Sequence, residues 1–227
     1  MQKKIAIFLD YYYVGGIEKV ISDIKKYLEN EYEFDIISFS SNNKNVISIL
    51  NKTYRNFFIR NILGLIKINK HFKNKKYDVI HINCYNSFGL IYGKILKKYT
   101  KKIIIHAHSS NIDKDMLHIK KSINLLIKMF FKDKDFIYVA VSKGSSLFCF
   151  GNKESILIAN GINYNNYVFN KNLKDEYRKK YNIDNKKIVI GNIGRLEKQK
   201  NQLFILDIFN DLLKINKNYI LILEWYK

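Results

Sequence analysis

The chain of 227 residues has no proline, one tryptophan and only two cysteines. Cys84 and Cys149 lie far apart and match no metal or redox spacing, so a reducing compartment is the expectation. The amino terminus, MQKKIAIFLDYYYVGG, lacks the longer apolar stretch and small-residue cleavage site of a signal peptide. No run approaches the roughly 20 apolar residues that a membrane span needs. Arginine is scarce, which disfavours nucleic acid as a partner, since arginine makes most specific base contacts. No nucleic-acid-binding signature is present either.

What is present is apolar, aromatic and basic. Hydrophobic residues make up 47% and aromatics 15%, which marks a folding sequence and not a disordered one. The formal net charge is +20. It has two readings: an anionic partner, or the codon usage of an AT-rich genome that favours Lys, Asn, Ile and Tyr.

Short apolar runs alternate with longer helical patterns. The predicted strands are Lys4–Leu9, Phe34–Phe39, Val79–Asn83, Ile103–His106, Phe136–Val141 and Ser155–Ala159. Continuous β-branched runs such as DVIHI and IIIH indicate strands covered on both faces. Helices are predicted over Ile17–Leu28, Arg55–Phe72, Phe88–Tyr99, Met116–Phe131 and Lys143–Phe150. The alternation implies an α/β fold with right-handed βαβ units in a Rossmann-like, doubly wound parallel sheet. The first domain is expected over residues 1–165, with a connection over 166–185 whose second half is helical. A second β-α-β unit is expected over 186–227, with a strand in KIVIGNIGRL, a helix over Gln202–Ile215 and a strand over Tyr219–Leu223.

In open α/β sheets, ligands bind at the carboxyl ends of strands. The unusual polar and glycine residues fall there. Gly15, Gly16 and Glu18 follow the first strand; His106 and His108 close the fourth; Ser142 follows the fifth and Asn160 the sixth. Gly194, Arg195 and Lys200 follow the first strand of the second unit. A glycine pair at a helix start either lets an anion approach free N–H groups or forms an ordinary tight turn. The two histidines are either packed imidazoles or polar groups that contact or deprotonate a substrate. Arg195 and Lys200 flank a helix start, where they neutralise a diphosphate or simply line a solvated loop. Asp113-Lys114-Asp115 and Asp133-Lys134-Asp135 have D-x-D spacing but lie beside a basic helix, where solvation is the expected role. The stretch Met116–Phe131 carries Lys120, Lys121 and Lys128; it is either a core-facing helix or a surface for anionic membrane.

The ordered set GGIEKVISDI, IIIHAHSSN, VAVSKG, LIANGIN and GNIGRLEKQKN resembles the retaining glycosyltransferases of family 4, which have the GT-B fold. It is most similar to bacterial members that build capsular or exopolysaccharide. The resemblance implies a metal-free, cofactor-free transfer from a nucleotide-diphosphate sugar to a glycan or lipid-linked acceptor. It implies a cytoplasmic location, at the inner face of the plasma membrane where the acceptor is lipid-linked. Gly15 and Gly16 would then lie near donor phosphates and acceptor, and His108 and His106 would line the catalytic cleft. Gly194, Arg195 and Lys200 would hold the donor diphosphate, while Glu18, Ser142 and Asn160 would form cleft wall. The family usually has proline before the NG and aspartate two residues after it; Ala159 and Asn163 stand there instead. Relatives continue into a glycine-rich turn, a nucleotide pocket and a paired-glutamate motif, whereas this sequence stops at LILEWYK. The expectation is a chain cut off early in its donor domain, or one whose donor domain is a separate polypeptide. A non-catalytic acceptor- or membrane-binding half, or an inactive remnant, is the competing reading.

Overall fold

The computed structural model describes residues 2–13, 15–50, 54, 56–111, 117–198 and 200–225, without the side chains of Phe57, Phe58 and Leu117. The predicted helix starts Arg55 and Met116, and the Asp113–Asp115 motif, lie outside the described residues. The chain divides into two compact units, Met1–Ile162 and Asn163–Lys227.

The first unit contains β1 (Lys3–Tyr12), α1 (Gly16–Leu28), β2 (Tyr32–Ser41), β3 (Ile47–Ser48), α2 (Phe57–Phe72) and β4 (Val79–Cys84). It continues through α3 (Phe88–Leu96), β5 (Lys102–Ala107), α4 (Leu117–Phe130), β6 (Phe136–Ala140), α5 (Lys143–Phe150) and β7 (Ile156–Leu157). The sheet is parallel throughout, in the order β3-β2-β1-β4-β5-β6-β7. The order reverses at β1, so the tips of β1 and β4 border the crevice where such sheets bind ligands.

Four differences from the sequence expectation have physical causes. The first strand runs on to Tyr12 because β2 pairs with it as far as Ser41. The two-residue β3 is too short to show a period. The sixth predicted strand shrinks to Ile156–Leu157, and Ile158 donates one last bond to the Ala140 carbonyl before the chain leaves the ladder. The helix predicted over Phe88–Tyr99 is α-helical only to Leu96 and tightens into a 3-10 turn over Lys97–Tyr99.

The larger core lies on one face, where Phe8, Phe39, Ile80, Ile82 and Ile105 meet Ile68, Phe72, Leu90, Tyr92 and Ile127 from the covering helices. Helix α3 lies low on the sheet. A Cβ at Gly93 would stand 2.9 Å from Ile105 Cδ1 and from Phe136 Cζ, and one at Gly89 2.8 Å from Cys84 Cβ. On the opposite face, α1 lays Ile17 and Ile21, four residues apart on one stripe, over Ile7, Leu9 and Ile36. Glu18 in its first turn and Lys25 and Lys26 in its last suit the helix dipole.

The second unit holds a 3-10 turn (Tyr164–Tyr167), α6 (Lys171–Lys180), β8 (Ile188–Ile193), α7 (Gln202–Ile215) and β9 (Tyr219–Glu224). β8 and β9 form a parallel pair. A two-stranded sheet with one crossover helix leaves apolar residues in water: Leu203, Phe204, Ile193 and Trp225 are all exposed.

Candidate active site

The carboxyl rim of the seven-stranded sheet is built from the β1 and β4 tips outward. At the end of β1 the side-chain alternation breaks. Asp10 and Tyr11 both engage Arg60 of α2, while Tyr12 packs on the opposite core. Burial pushes the Asp10 carboxyl above its usual range, opposed by the Arg60 guanidinium and the Tyr92 hydroxyl. The same Tyr92 hydroxyl lies 2.8 Å from Asn61 Oδ1. Arg60 Nη1 donates to Tyr11 Oη at 2.9 Å, and Tyr11 Oη donates to the Tyr54 carbonyl at 3.1 Å.

The glycine pair follows. Gly15 is extended and precedes α1, and its own carbonyl accepts from Lys19 N–H at 3.1 Å. The Glu18 carboxylate folds back over it. Oε1 accepts from Tyr13 N–H at 3.2 Å, and a Cβ on Gly15 would lie 2.7 Å from Oε2. Glu18 is 9% exposed. A carboxylate in that position favours a hydroxyl donor over a phosphate at this turn. Around Gly16 nothing among the described residues lies within 4 Å of a Cβ position.

The imidazoles come from β4 and β5. Register pairs Asn83 with His106, so β4 carries His81 and Asn83, and β5 carries His106, on the face that α1 also uses, with His108 just past the end of β5. They meet diagonally. His81 Nε2 lies 3.3 Å from His106 Nδ1, and His108 Nε2 lies 2.9 Å from Asn83 Oδ1. The His106 and His108 rings are 4.1 Å apart. Burial holds all three imidazoles neutral. It pushes His106 down to about 4; His81 and His108 go to about 3, with the neighbouring imidazoles adding to the effect of burial. Asn83 Nδ2, His106 Nε2 and His108 Nδ1 are buried with no hydrogen-bond partner among the described residues. Buried orphan atoms of this kind are rare and mark functional or water sites. His81 and Asn83 escaped the sequence reading because a polar residue inside DVIHINC resembles an ordinary strand position. Only the pairing across 25 residues reveals them.

Ser142 caps α5, its hydroxyl accepting from Ser145 N–H at 3.1 Å in a reciprocal capping box. Its place is fully accounted for by that cap. Gly144 approaches the loop after β5, a Cβ there lying 3.3 Å from Ser110 Cβ. Asn160 follows β7 and is exposed. A surface hollow of about 340 Å³ runs along α5 from Lys143 to Gly151 and on to Leu157, and holds neither the imidazoles nor the glycine turn. Cys84 and Cys149, distant in sequence, are buried neighbours with free thiols, and the hydrogen bond between them pushes the Cys84 thiol up.

In the second unit, the Lys200 stem lies 3.6 Å from a Cβ position at Gly194. Arg195 Nη1 pairs with Glu197 Oε1 at 3.0 Å while remaining about half exposed, and the Arg195 carbonyl accepts from Gln202 Nε2 at 2.8 Å. Gly194, Arg195 and Lys200 therefore share one loop ahead of α7. The second D-x-D motif is taken up by lysines. Asp133 Oδ2 accepts from Lys94 at 2.9 Å and Lys97 at 3.0 Å, which holds its carboxyl well below the usual range. Among the described residues, no helix is long and apolar enough to cross a membrane.

Comparison with known structures returns the same architecture. HepE of Anabaena, solved in complex with UDP-glucose, is 19% identical over 96% of this chain and 60% of its own, with a TM-score of 0.69. A glycosyltransferase from Rickettsia africae is 16% identical over 99% of this chain and 69% of its own, at 0.63. WaaG, a glycosyltransferase involved in lipopolysaccharide biosynthesis, is 11% identical over 97% and 70%, at 0.60. At these identities the likeness establishes the fold, and the chain spans about 60% of the length of HepE. No curated protein matches. Residues 14–145, more than half of the chain and all of the rim from the glycine turn to the start of α5, match Glycosyltransferase Family 4. The chain belongs to that family.

Proposed function

We propose that the protein acts in transfer of a sugar from a nucleotide-activated donor to a glycan or lipid-linked acceptor, in assembly of a surface polysaccharide. The observation that carries this reading is the family match over a rim on which the glycine turn, Glu18 and the imidazoles stand at successive strand tips. The first unit takes the acceptor side. The loop of Gly194, Arg195 and Lys200 takes the donor diphosphate, where two cations offset the charge that develops as the nucleoside diphosphate leaves. HepE, solved with UDP-glucose, supports a UDP-sugar as the first donor to try. In this reading the neutral imidazole of His108 is a hydrogen-bond partner for the transferring sugar, reached when substrate displaces the packing around Nδ1.

The test is release of UDP from UDP-glucose and UDP-N-acetylglucosamine by the full chain, with bacterial membrane lipid as acceptor. UDP binding is read in parallel by calorimetry. Arg195→Ala is expected to weaken UDP binding about tenfold, one charge-assisted contact. Unchanged UDP affinity in that variant rejects the diphosphate role. Absence of turnover and of UDP binding in the wild type rejects the transferase reading for this chain.

A second reading, a membrane- or acceptor-binding half completed by further polypeptide, rests on two exposed surfaces. Helix α4 turns Ile119, Leu125, Leu126, Met129 and Phe130 to solvent among Lys120, Lys121 and Lys128. Helix α7 and strand β8 leave Leu203, Phe204 and Ile193 open. The first surface fits an anionic bilayer; the second fits a further polypeptide packed on the two-stranded sheet.

A further inference from the structure

An exposed aromatic side chain is normally free to move, and Tyr13 is 48% exposed. It is nevertheless fixed at both ends. Its backbone N–H is held by the buried Glu18 carboxylate at 3.2 Å. Its ring stacks on Tyr11, with centroids 5.5 Å apart and planes at 24°. Tyr11 is immobilised in turn, since its hydroxyl accepts from Arg60 and donates to the Tyr54 carbonyl. The Arg60 guanidinium also lies 4.7 Å from the Tyr11 ring centre. An ordered ring in water, at the tip of the strand where the sheet order reverses, is an arrangement prepared for a ligand.

We propose that Tyr13 is a stacking platform for a pyranose ring of the acceptor. This rests on the reading of the first unit as the acceptor side. Local charge selects the ligand. The Glu18 carboxylate stands against the Tyr13 backbone, whereas Asp10 is buried against Arg60 and Tyr92. Carboxylates accept sugar hydroxyls and repel the phosphates of a nucleotide. A neutral saccharide offers what the site asks for: an apolar C–H face for the ring and hydroxyl donors for Glu18. A nucleoside diphosphate offers a ring but brings the wrong charge.

Saturation-transfer NMR on the full chain tests this without any donor. The probes are methyl α-D-glucopyranoside, methyl α-D-galactopyranoside and methyl N-acetyl-β-D-glucosaminide, with uridine as the competing class. The expected result is transfer to ring C–H protons of at least one glycoside. Tyr13→Ala, shown folded by circular dichroism, should weaken that binding by about threefold to tenfold, the loss of one stacking contact. Tyr13→Phe should retain it, because the platform needs the ring and not the hydroxyl. Equal transfer in Tyr13→Ala, transfer to uridine but to no glycoside, or no transfer in the wild type overturns the proposal. If glycosides bind through Tyr13 while no nucleotide sugar is ever turned over, the transferase reading fails and the platform stands. Turnover unaffected by Tyr13→Ala gives the reverse.

Discussion

Asn83 and His108 meet across β4 and β5, the amide Oδ1 2.9 Å from the imidazole Nε2. A carbonyl oxygen only accepts, so with the amide in this orientation the His108 proton resides on Nε2 and its lone pair on Nδ1. Asn83→Leu removes the acceptor and strands a buried N–H. It should destabilise the fold by about 1–3 kcal/mol in urea unfolding. Asn83→Asp keeps the acceptor and adds a charge, so NMR titration should find the His108 pKa raised from its depressed value near 3. A Leu variant as stable as the wild type would remove this pair from the account.

The three imidazoles make the fold acid-sensitive in a defined window. Their folded pKa values lie near 3 to 4, below the 6.5 of an unconstrained histidine. As pH falls below 6.5 the unfolded chain binds protons that the native chain refuses, so stability falls. The slope is at most about 1.4 kcal/mol per pH unit for each histidine, and the loss ends near pH 4 for His106 and near pH 3 for His81 and His108. Asp133, lowered by its lysines, and Asp35 act in a separate window. In Asp35 the Tyr77 hydroxyl and Lys4 outweigh burial. These carboxylates stabilise above the usual 3.8 and lose that contribution below it. Urea melts at pH 7, 6 and 5 should show the decline, and a His81→Gln variant should flatten it.

Glycine substitutions separate packing from clearance. Gly93→Ala drives a methyl into Ile105 and Phe136 and should cost about 1–3 kcal/mol. Gly16→Ala meets nothing within 4 Å among the described residues and should stabilise by about 0.4–1 kcal/mol. If Gly16→Ala is stable yet loses ligand binding, the turn is kept open for a ligand; unchanged binding assigns Gly16 to the turn alone.

The α4 surface predicts binding to vesicles containing phosphatidylglycerol and little binding to phosphatidylcholine. Replacing Lys120, Lys121 and Lys128 by Gln should reduce it by about 1 kcal/mol per lysine, and added salt should do the same. Co-sedimentation reads both. Equal binding to neutral vesicles would assign the surface to another partner.

The sequence legibly encodes elements with a strong period. Helix α7 begins and ends where its apolar spacing places it, and β5 is marked by its isoleucine run. The strand tips are legible because glycine, histidine and asparagine interrupt apolar runs there. What a one-dimensional pattern does not carry is the lateral neighbour. Glu18 reads only as a cleft-wall residue until it is seen bonded to Tyr13. Arg60 reads as one basic residue of a helix until it is seen on Tyr11, 49 positions away. His81 reads as a strand residue until register sets it beside His106.

The Arg60 link couples two surfaces that would otherwise be independent. Helix α2 shows Ile59, Ile62 and Ile66 to solvent, and the same helix grips the tyrosine tip through one guanidinium. A force that tilts this helix, such as adsorption on a greasy surface, is delivered as a tug on the β1 tip. Arg60 is the lever arm through which contact outside the molecule would retune the crevice.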